Sequence, residues 1–235
     1  MVHVTTKIDR ADPAVVKGLA AFSAATIHEA QGRKGALDPA IKPIDRDTHF
    51  CGPAFTVVCH PRDNIMLQVA ISYAQPGDVL VVASGGQAAG QFGDVLANAC
   101  VARGIAALVT DGGVRDTREI RQLGFPVFSR FVAIQGTVKE SLGPVNQPLV
   151  IGGQLIRPGD VVKGDCDGVV VVAREDAADA VEACRAREEA EAGYIRRYRD
   201  GETPLTVSGL NEVLRAKGLT TDLDPPQVHQ PRTNP

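Results

Sequence analysis

Apolar and polar residues alternate along the first part of the chain in a pattern that predicts strands separated by helices. Valine- and alanine-rich runs at 54–60, 79–83 and 105–110 are typical of strands buried in a sheet. Between these runs, 65–73 and 95–102 place apolar residues at helical spacing. Strands that alternate with helices in this order predict a βαβ arrangement and hence an α/β fold with a mixed central sheet and helices on both faces.

The second part of the chain has shorter apolar runs. Four β-rich runs, separated by Gly, Pro and Asp, predict strands joined by turns: 131–134, 149–151, 161–162 and 169–172. A long charged helix is predicted from Glu175, and a last helix from Thr203 to about Lys217. Because no linker separates the two parts, we interpret residues 1–219 as a single domain, followed by a disordered tail at 220–235.

Two glycine-containing loops follow neighbouring predicted strands. The first loop ends in Gly93-Asp94, and the second begins with the turn sequence at 111–113 and ends in Arg115-Asp116. A strand, helix and strand of this length return both loops to the carboxyl edge of the sheet, where α/β sheets bind ligands. The sequence therefore predicts that the two aspartates and the arginine lie close together.

These residue types suit the binding of a metal ion and an organic acid. Asp94 and Asp116 offer the hard oxygen ligands that Mg²⁺ and Mn²⁺ prefer. Arg115 can pair with a carboxylate or with a developing enolate oxygen. Free amides at the start of the 95–102 helix can face a small anion. A purely structural alternative stays open, in which Asp94 and Arg115-Asp116 only cap the helices that follow them.

Composition limits the partners. The net charge of −3 argues against nucleic acid as a main partner, and the apolar runs are too short to span a membrane. The first twenty residues lack the apolar core of a secretory signal. Five cysteines without a Cys-x-x-Cys pair indicate free thiols, and we therefore expect a cytoplasmic protein.

The spacing of Gly93-Asp94, twenty residues, then Arg115-Asp116 resembles the signature of class II pyruvate aldolases. These enzymes belong to the RraA-like superfamily and cleave 4-hydroxy-4-methyl-2-oxoglutarate and 4-carboxy-4-hydroxy-2-oxoadipate. Other segments resemble the family in the same order: 25–35, 125–128, 135–140, 157–160 and 165–169. The resemblance covers roughly residues 8–217, and the flanking segments favour the aldolase branch over the regulator of ribonuclease activity.

The resemblance implies a layered α-β-β-α sandwich similar to phosphohistidine swivelling domains. It also implies a homo-oligomer, either a trimer or a hexamer built as a dimer of trimers, whose site is shared between subunits. Glu191 matches a family acid that reaches into the neighbouring subunit's site. From the residues alone, Glu191 lies in a charge run that is typical of a solvated helix face.

The resemblance further implies a function and roles for the site residues. The function is a divalent-metal-dependent aldolase acting on a small-molecule 2-oxo acid, with oxaloacetate decarboxylation as a side activity. Asp116 would bind Mg²⁺ or Mn²⁺ directly, Asp94 would hold metal-bound water, and Arg115 would contact the keto oxygen. The backbone amides of Gly93, Asp94, Val95 and Leu96 would hold the substrate carboxylate. Two alternatives stay open, namely a non-catalytic regulator of an RNA-degrading endonuclease and an enzyme that is chiefly an oxaloacetate decarboxylase.

Overall fold

The structure is a computed structural model that describes residues 4–220. Contacts divide the chain into two units, one that ends at Cys184 and one that begins at Arg185. The single-domain organisation expected for 1–219 stays a prediction. Of the expected disordered tail, only residue 220 is described, and 221–235 lie outside the described residues.

Strands and helices alternate through the first unit. Its strands are β1 (Lys42–Pro43), β2 (Phe50–Val58), β3 (Val79–Ala83), β4 (Gly90–Phe92), β5 (Ala107–Val114), β6 (Val127–Val132), β7 (Leu149–Ile151), β8 (Gln154–Ile156), β9 (Val161–Asp165) and β10 (Gly168–Val172). Its helices are α1 (Pro13–Ala20), α2 (Ala24–Ala30), α3 (Ile65–Tyr73), α4 (Asp94–Ala102), α5 (Thr117–Leu123) and the first turns of α6 (Ala177–Arg199).

One large mixed sheet organises the first unit. Its strand order is β1-β6-β5-β3-β2-β9-β10, and β4 pairs with the end of β5. The strands β2, β3, β5 and β6 run parallel, whereas β1, β9 and β10 pair antiparallel with their neighbours. The strands β7 and β8 form a separate antiparallel hairpin. The predicted α/β class is confirmed, with a sheet of mixed direction.

Alternation along the strands distributes apolar side chains among three clusters. Leu80 and Val82 of β3 join the cluster that α3, α4 and α5 cover. Val79 and Val81 point to the opposite face and pack with residues of β7, β8, β9 and β10. The other face of β9 and β10 packs against α1, α2 and the start of α6. The likeness to phosphohistidine swivelling domains stays a prediction.

The predicted turn at 111–113 is wrong, because β5 continues through these residues to Val114. Gly113 pairs with Gly90 of β4, and a Cβ atom on Gly113 would lie only 2.6 Å from the Ala89 carbonyl oxygen. The register with β6 shifts between Thr110 and Gly113. The glycines that suggest a turn therefore form an irregular strand that a second strand approaches closely.

The single last helix predicted from Thr203 to Lys217 is also wrong. The second unit contains α7 (Pro204–Val207) and α8 (Leu210–Ala216), and the left-handed Gly209 (φ 64°) separates them. The predicted start is confirmed, since the Thr203 side chain accepts a hydrogen bond from the Thr206 amide. No helix in residues 4–220 has the length and apolar character needed to cross a membrane.

The buried ion pair between Arg10 and Asp78 generates a stability prediction. The Asp78 side chain is fully buried and accepts hydrogen bonds from Arg10 Nε (2.7 Å) and Nη2 (2.8 Å). Arg10→Ala leaves this carboxylate without its counter-charge and should cost about 3 kcal/mol of unfolding free energy, measured by urea denaturation. Arg33→Ala breaks the exposed pair with Glu29 and serves as the control, with an expected cost below about 1 kcal/mol. Equal effects of the two substitutions would contradict the prediction.

Candidate active site

A small cavity of about 50 Å³ lies at the ends of β4 and β5. It is lined by Asn64, Gln91, Gly93, Asp94, Val95, Leu96, Arg115 and Asp116. All the residues predicted for the site in the first unit therefore line one cavity. The structure also brings Asn64 and Gln91 into the lining.

Pairing between β4 and β5 brings the two predicted loops together. Phe92 pairs with Val114, and the Arg115 amide donates a 2.9 Å hydrogen bond to the Phe92 carbonyl oxygen. A Cβ atom on Gly93 would overlap Asp116 Oδ2, so a side chain at this position would force the Asp116 carboxylate to move. The predicted proximity of Gly93-Asp94 to Arg115-Asp116 is confirmed.

Neither aspartate is an N-cap residue whose side chain caps the helix that follows it. Asp116 occupies the position before α5 with left-handed backbone (φ 55°), and its side chain makes no capping hydrogen bond. Gly93, and not Asp94, precedes α4. An aspartate tolerates the left-handed region at a modest cost in energy, and such residues occur often at functional sites. The alternative of a purely structural role stays open, because both carboxylates accept hydrogen bonds from amides at the start of α4.

The carboxylates of Asp94 and Asp116 each accept a hydrogen bond from a backbone amide at the start of α4. Asp116 Oδ2 accepts from the Asp94 amide at 3.3 Å, and Asp94 Oδ1 accepts from the Val95 amide at 2.8 Å. Arg115 Nε lies 3.6 Å from Asp116 Oδ2. Within residues 4–220, the second oxygen of each carboxylate has no hydrogen-bond partner. The amides predicted to face an anion thus contact carboxylates of the protein itself.

The lining contains two carboxylates and one guanidinium, and these sum to a charge of −1. Two carboxylates with free oxygens fit a small divalent cation that keeps several waters. Asp94, Asp116 and Arg115 are all partly exposed, so a ligand can reach them. The donor set thus fits Mg²⁺ or Mn²⁺ and leaves Arg115 for an organic anion.

Gln91 connects the two sides of the cavity, and sequence analysis missed it. The side-chain Nε2 of Gln91 donates to the backbone carbonyl oxygens of His60 and Asp63, each at 3.3 Å. The backbone carbonyl oxygen of Gln91 accepts from Asn64 Nδ2 at 2.9 Å. Its Oε1 is buried without a hydrogen-bond partner in the described range. Gln68 does not line the cavity, but its Nε2 donates to Asn64 Oδ1 at 3.3 Å. The sequence signal that could have identified Gln91 is its position as a polar residue between Gly90 and Phe92.

Two further buried or half-buried aspartates shape the surrounding loops. Asp111 Oδ1 accepts from the Ser84 amide (2.6 Å) and hydroxyl (2.9 Å), and its Oδ2 accepts from the Gly86 amide (3.0 Å). Asp63 Oδ1 accepts at 2.9 Å from the Ile65 amide, the first amide of α3. Its Oδ2 accepts from the amides of Glu140 and Ser141. The Asp63 carboxylate thus fixes the loop that carries Asn64, and the Asp111 carboxylate fixes the glycine-rich loop that contains Gly86.

Two other places with candidate chemistry lie apart from this cavity. Asp165, Cys166 and Asp167 form the one group of three close ligand-type side chains found in residues 4–220. Both Asp165 oxygens accept amide hydrogen bonds, one from the distant Ala24 and one from Asp167 in the turn between β9 and β10. His28 lines a mainly apolar groove of about 290 Å³, and its Nδ1 contacts the Lys34 carbonyl oxygen.

Glu191 belongs to the second unit and forms an ion pair there. Its Oε1 lies 2.7 Å from Arg187 Nη2, one helical turn away on α6. An i,i+4 pair of this kind is typical of a solvated helix face. The role that the resemblance implies for Glu191 in a neighbouring subunit stays a prediction.

Comparisons with known proteins place the chain in a family. Residues 21–171 match the RraA-like family, described as Aldolase/RraA. A protein of Halalkalibacterium halodurans that provisionally bears the name 4-hydroxy-4-methyl-2-oxoglutarate aldolase is 39% identical over 137 residues. That match covers 58% of this chain and 65% of the relative, so the chain spans just under two thirds of that protein's length.

Two solved structures have a similar fold. An uncharacterized protein of Pseudomonas syringae pv. tomato matches with a TM-score of 0.76 and 29% identity, over 86% of this chain and 96% of the other. Streptomyces coelicolor RraAS2, described as an unusual member of the RNase ES inhibitor RraA protein family, matches with a TM-score of 0.72 and 32% identity. That match covers 80% of this chain and 98% of RraAS2. The chain belongs to the RraA-like family.

The pKa of Asp63 generates a pH prediction. Burial raises this pKa, but the amide hydrogen bonds outweigh burial and hold it below its ordinary value of 3.8. A carboxylate whose pKa is lower in the folded state stabilises the fold above the unfolded pKa and loses that effect as pH falls through the folded pKa. Asp63→Asn should therefore lower the unfolding free energy at pH 7 and lower it less below about pH 4, measured by urea denaturation across pH.

The exposed Asp47 provides the control for this measurement. Its side chain makes no hydrogen bond within the described residues, so Asp47→Asn should change stability little at any of these pH values. An Asp63→Asn effect that stays constant from pH 7 to pH 3 would contradict the assigned role of the carboxylate.

Proposed function

We propose that the protein is a divalent-metal-dependent aldolase that cleaves 4-hydroxy-4-methyl-2-oxoglutarate, 4-carboxy-4-hydroxy-2-oxoadipate or both. The products are pyruvate plus pyruvate or oxaloacetate. The observation that carries the proposal is the position of Arg115 beside the carboxylates of Asp94 and Asp116 in one cavity. Family membership and the name of the Halalkalibacterium relative support it.

Arg115 is the group that stabilises charge in this proposal. Breaking the bond between carbons three and four leaves an electron pair on the pyruvyl fragment as an enolate, and catalysis requires that this charge be stabilised as it forms. The guanidinium stays protonated and presents a planar set of N–H donors to the enolate oxygen. Its position between β5 and α5 is fixed by the backbone hydrogen bond to Phe92.

Asp116 and Asp94 would hold the divalent ion, Asp116 directly and Asp94 through water. A bound Mg²⁺ or Mn²⁺ supplies Lewis-acid polarisation of the keto oxygen. When these carboxylates turn toward a cation, the amides of Asp94 and Val95 that they now occupy become available. The run of amides from Gly93 to Leu96 at the start of α4 can then bind the substrate carboxylate.

The proposal includes the oligomer that the family resemblance implies. In a trimer or hexamer, Glu191 of one subunit would complete the site of its neighbour. The proposed location is the cytoplasm. The same enolate forms when oxaloacetate loses CO₂, so oxaloacetate decarboxylation is a side activity in this proposal, and an enzyme that is chiefly a decarboxylase is the nearest alternative.

A second candidate function comes from the similarity to RraAS2. That protein is described as a member of an RNase inhibitor family, and a chain of this fold can act without catalysing any reaction. The two acids and the arginine of the cavity favour the enzyme, because an inhibitor has no need for a cation site beside a guanidinium. Release of pyruvate from the aldol substrates discriminates between the two functions.

Metal removal tests the proposal directly. Excess EDTA should abolish pyruvate release from the aldol substrates, and added Mg²⁺ or Mn²⁺ should restore it. Asp116→Asn should remove the metal-restored activity, because a neutral amide is a poor ligand for a hard cation. Asp167→Asn alters the exposed ligand-type cluster elsewhere and should retain full activity. Full activity in excess chelator would rule out the metal-dependent mechanism.

Replacing Arg115 tests how the enolate is stabilised. Arg115→Lys keeps the charge but loses the planar donor set, and we expect turnover to fall about 10²–10³-fold. Arg118→Lys, on the exposed face of α5, is the matched control and should leave turnover unchanged. No lysine lines the cavity, so borohydride with pyruvate should trap no covalent adduct. An adduct on any lysine, detected by mass spectrometry with loss of activity, would establish a Schiff-base mechanism instead.

A further inference from the structure

We propose that Asp94 and Asp116 compete with the substrate carboxylate for the same backbone amides. The protein then binds a 2-oxo acid tightly only when a divalent cation holds these two side chains away from the amides. This inference rests on the proposed function, in which the amides from Gly93 to Leu96 bind the substrate carboxylate. It is carried by two hydrogen bonds at the start of α4.

The start of α4 lacks the usual side-chain cap. The first amides of a helix have no partner within the helix, and the side chain of the residue before the helix usually accepts from one of them. In α4 that residue is Gly93, which makes no such hydrogen bond. The amides of Asp94 and Val95 therefore need another acceptor, which is either a side chain of the protein or a bound anion.

Two carboxylates of the protein accept from these amides. Asp94 Oδ1 accepts from the Val95 amide at 2.8 Å, and Asp116 Oδ2 accepts from the Asp94 amide at 3.3 Å. Each amide carries a single N–H donor, so a substrate carboxylate gains that donor only when the aspartate gives it up. The competing groups are chemically alike, since each of them is a carboxylate.

The two aspartates do not hold their amides equally well. The 2.8 Å hydrogen bond to Asp94 Oδ1 has ordinary length, whereas the 3.3 Å contact to Asp116 Oδ2 lies just beyond the usual range of about 2.7–3.2 Å. Both residues are partly exposed, and 37% of the Asp116 side chain is accessible. Asp94 is therefore the stronger competitor, and its side chain can move without disturbing the core.

A bound divalent cation affects this competition in two ways. Carboxylates that turn toward the cation leave the amides, and the two added positive charges change the net charge of the lining from −1 to +1. The change in charge alone would also strengthen the binding of an anion. The competition for the amides is therefore tested without a cation, by substitutions that separate charge from hydrogen bonding.

The test measures the dissociation constant of pyruvate from metal-free protein, prepared by dialysis against EDTA, in a ligand-observed NMR titration. Asp94→Asn removes the charge but keeps a side-chain oxygen that can accept from the Val95 amide, whereas Asp94→Ala removes both. The loss of charge should therefore tighten binding equally in the two variants. Competition predicts that Asp94→Ala binds pyruvate about tenfold more tightly than Asp94→Asn, because only alanine frees the amide for a charge-assisted hydrogen bond. Equal dissociation constants for the two variants would overturn the inference.

Asp116 provides a second pair of variants in case Asp94→Ala does not fold. Asp116→Ala should bind pyruvate more tightly than Asp116→Asn, by a smaller factor than at Asp94, because the hydrogen bond that it releases is longer. Equal or reversed dissociation constants in this pair would overturn the competition at Asp116.

Asp12 offers a matched control at another helix. Its Oδ1 accepts from the Ala14 amide at 2.7 Å at the start of α1, and the residue does not line the cavity. Asp12→Ala and Asp12→Asn should therefore leave the dissociation constant of pyruvate at its wild-type value. A gain in Asp12→Ala as large as that in Asp94→Ala would show that the effect does not arise in the cavity, and it would overturn the inference.

The outcomes separate this inference from the proposed function. Pyruvate release from the aldol substrates, together with equal binding by the two Asp94 variants, would overturn the inference and leave the aldolase intact. The expected ratio between these variants without any aldol cleavage would support the competition and overturn the aldolase. Wild-type protein that neither binds pyruvate with Mg²⁺ nor releases it from the aldol substrates would overturn both.

Discussion

The site depends on the close approach between Gly93 and the Asp116 carboxylate. A Cβ atom at Gly93 would occupy the place of Asp116 Oδ2, and one at Gly113 would crowd the backbone of Ala89. Because glycines have no side chain, β4 can pair in parallel with the end of β5. Because of this pairing, an acid from each loop and the arginine between them share one cavity. Side chains at these two glycine positions would push apart the groups that the proposed chemistry needs close together.

Hydrogen bonds of buried and half-buried polar side chains stabilise this arrangement. Gln91 links the loop before α3 to β4, and Asp63 links the same loop to the segment at 140–141. Asp111 fixes the glycine-rich loop after β3. Preorganised groups of this kind matter for catalysis, since charge stabilisation is most effective when donors need not reorganise during the reaction. These polar residues thereby connect the fold to the proposed function.

Relatives of this chain show that the fold alone does not decide the activity. Similar proteins carry the name of an aldolase in one case and the description of an RNase inhibitor in another. The difference must lie in the side chains of particular sites. In this chain the cavity contains two carboxylates and an arginine, and the proposed function depends on these groups.

The sequence by itself determined the α/β class and the proximity of Gly93-Asp94 to Arg115-Asp116. Both follow from local periodicity and from the rule that parallel strands end at one edge of a sheet. Only the tertiary structure decided that 111–113 is strand, because glycine permits both a turn and a close strand contact, and the contact depends on the distant Gly90. The partners of Gln91 and Asp63 are likewise far away in sequence, so no local pattern could reveal them.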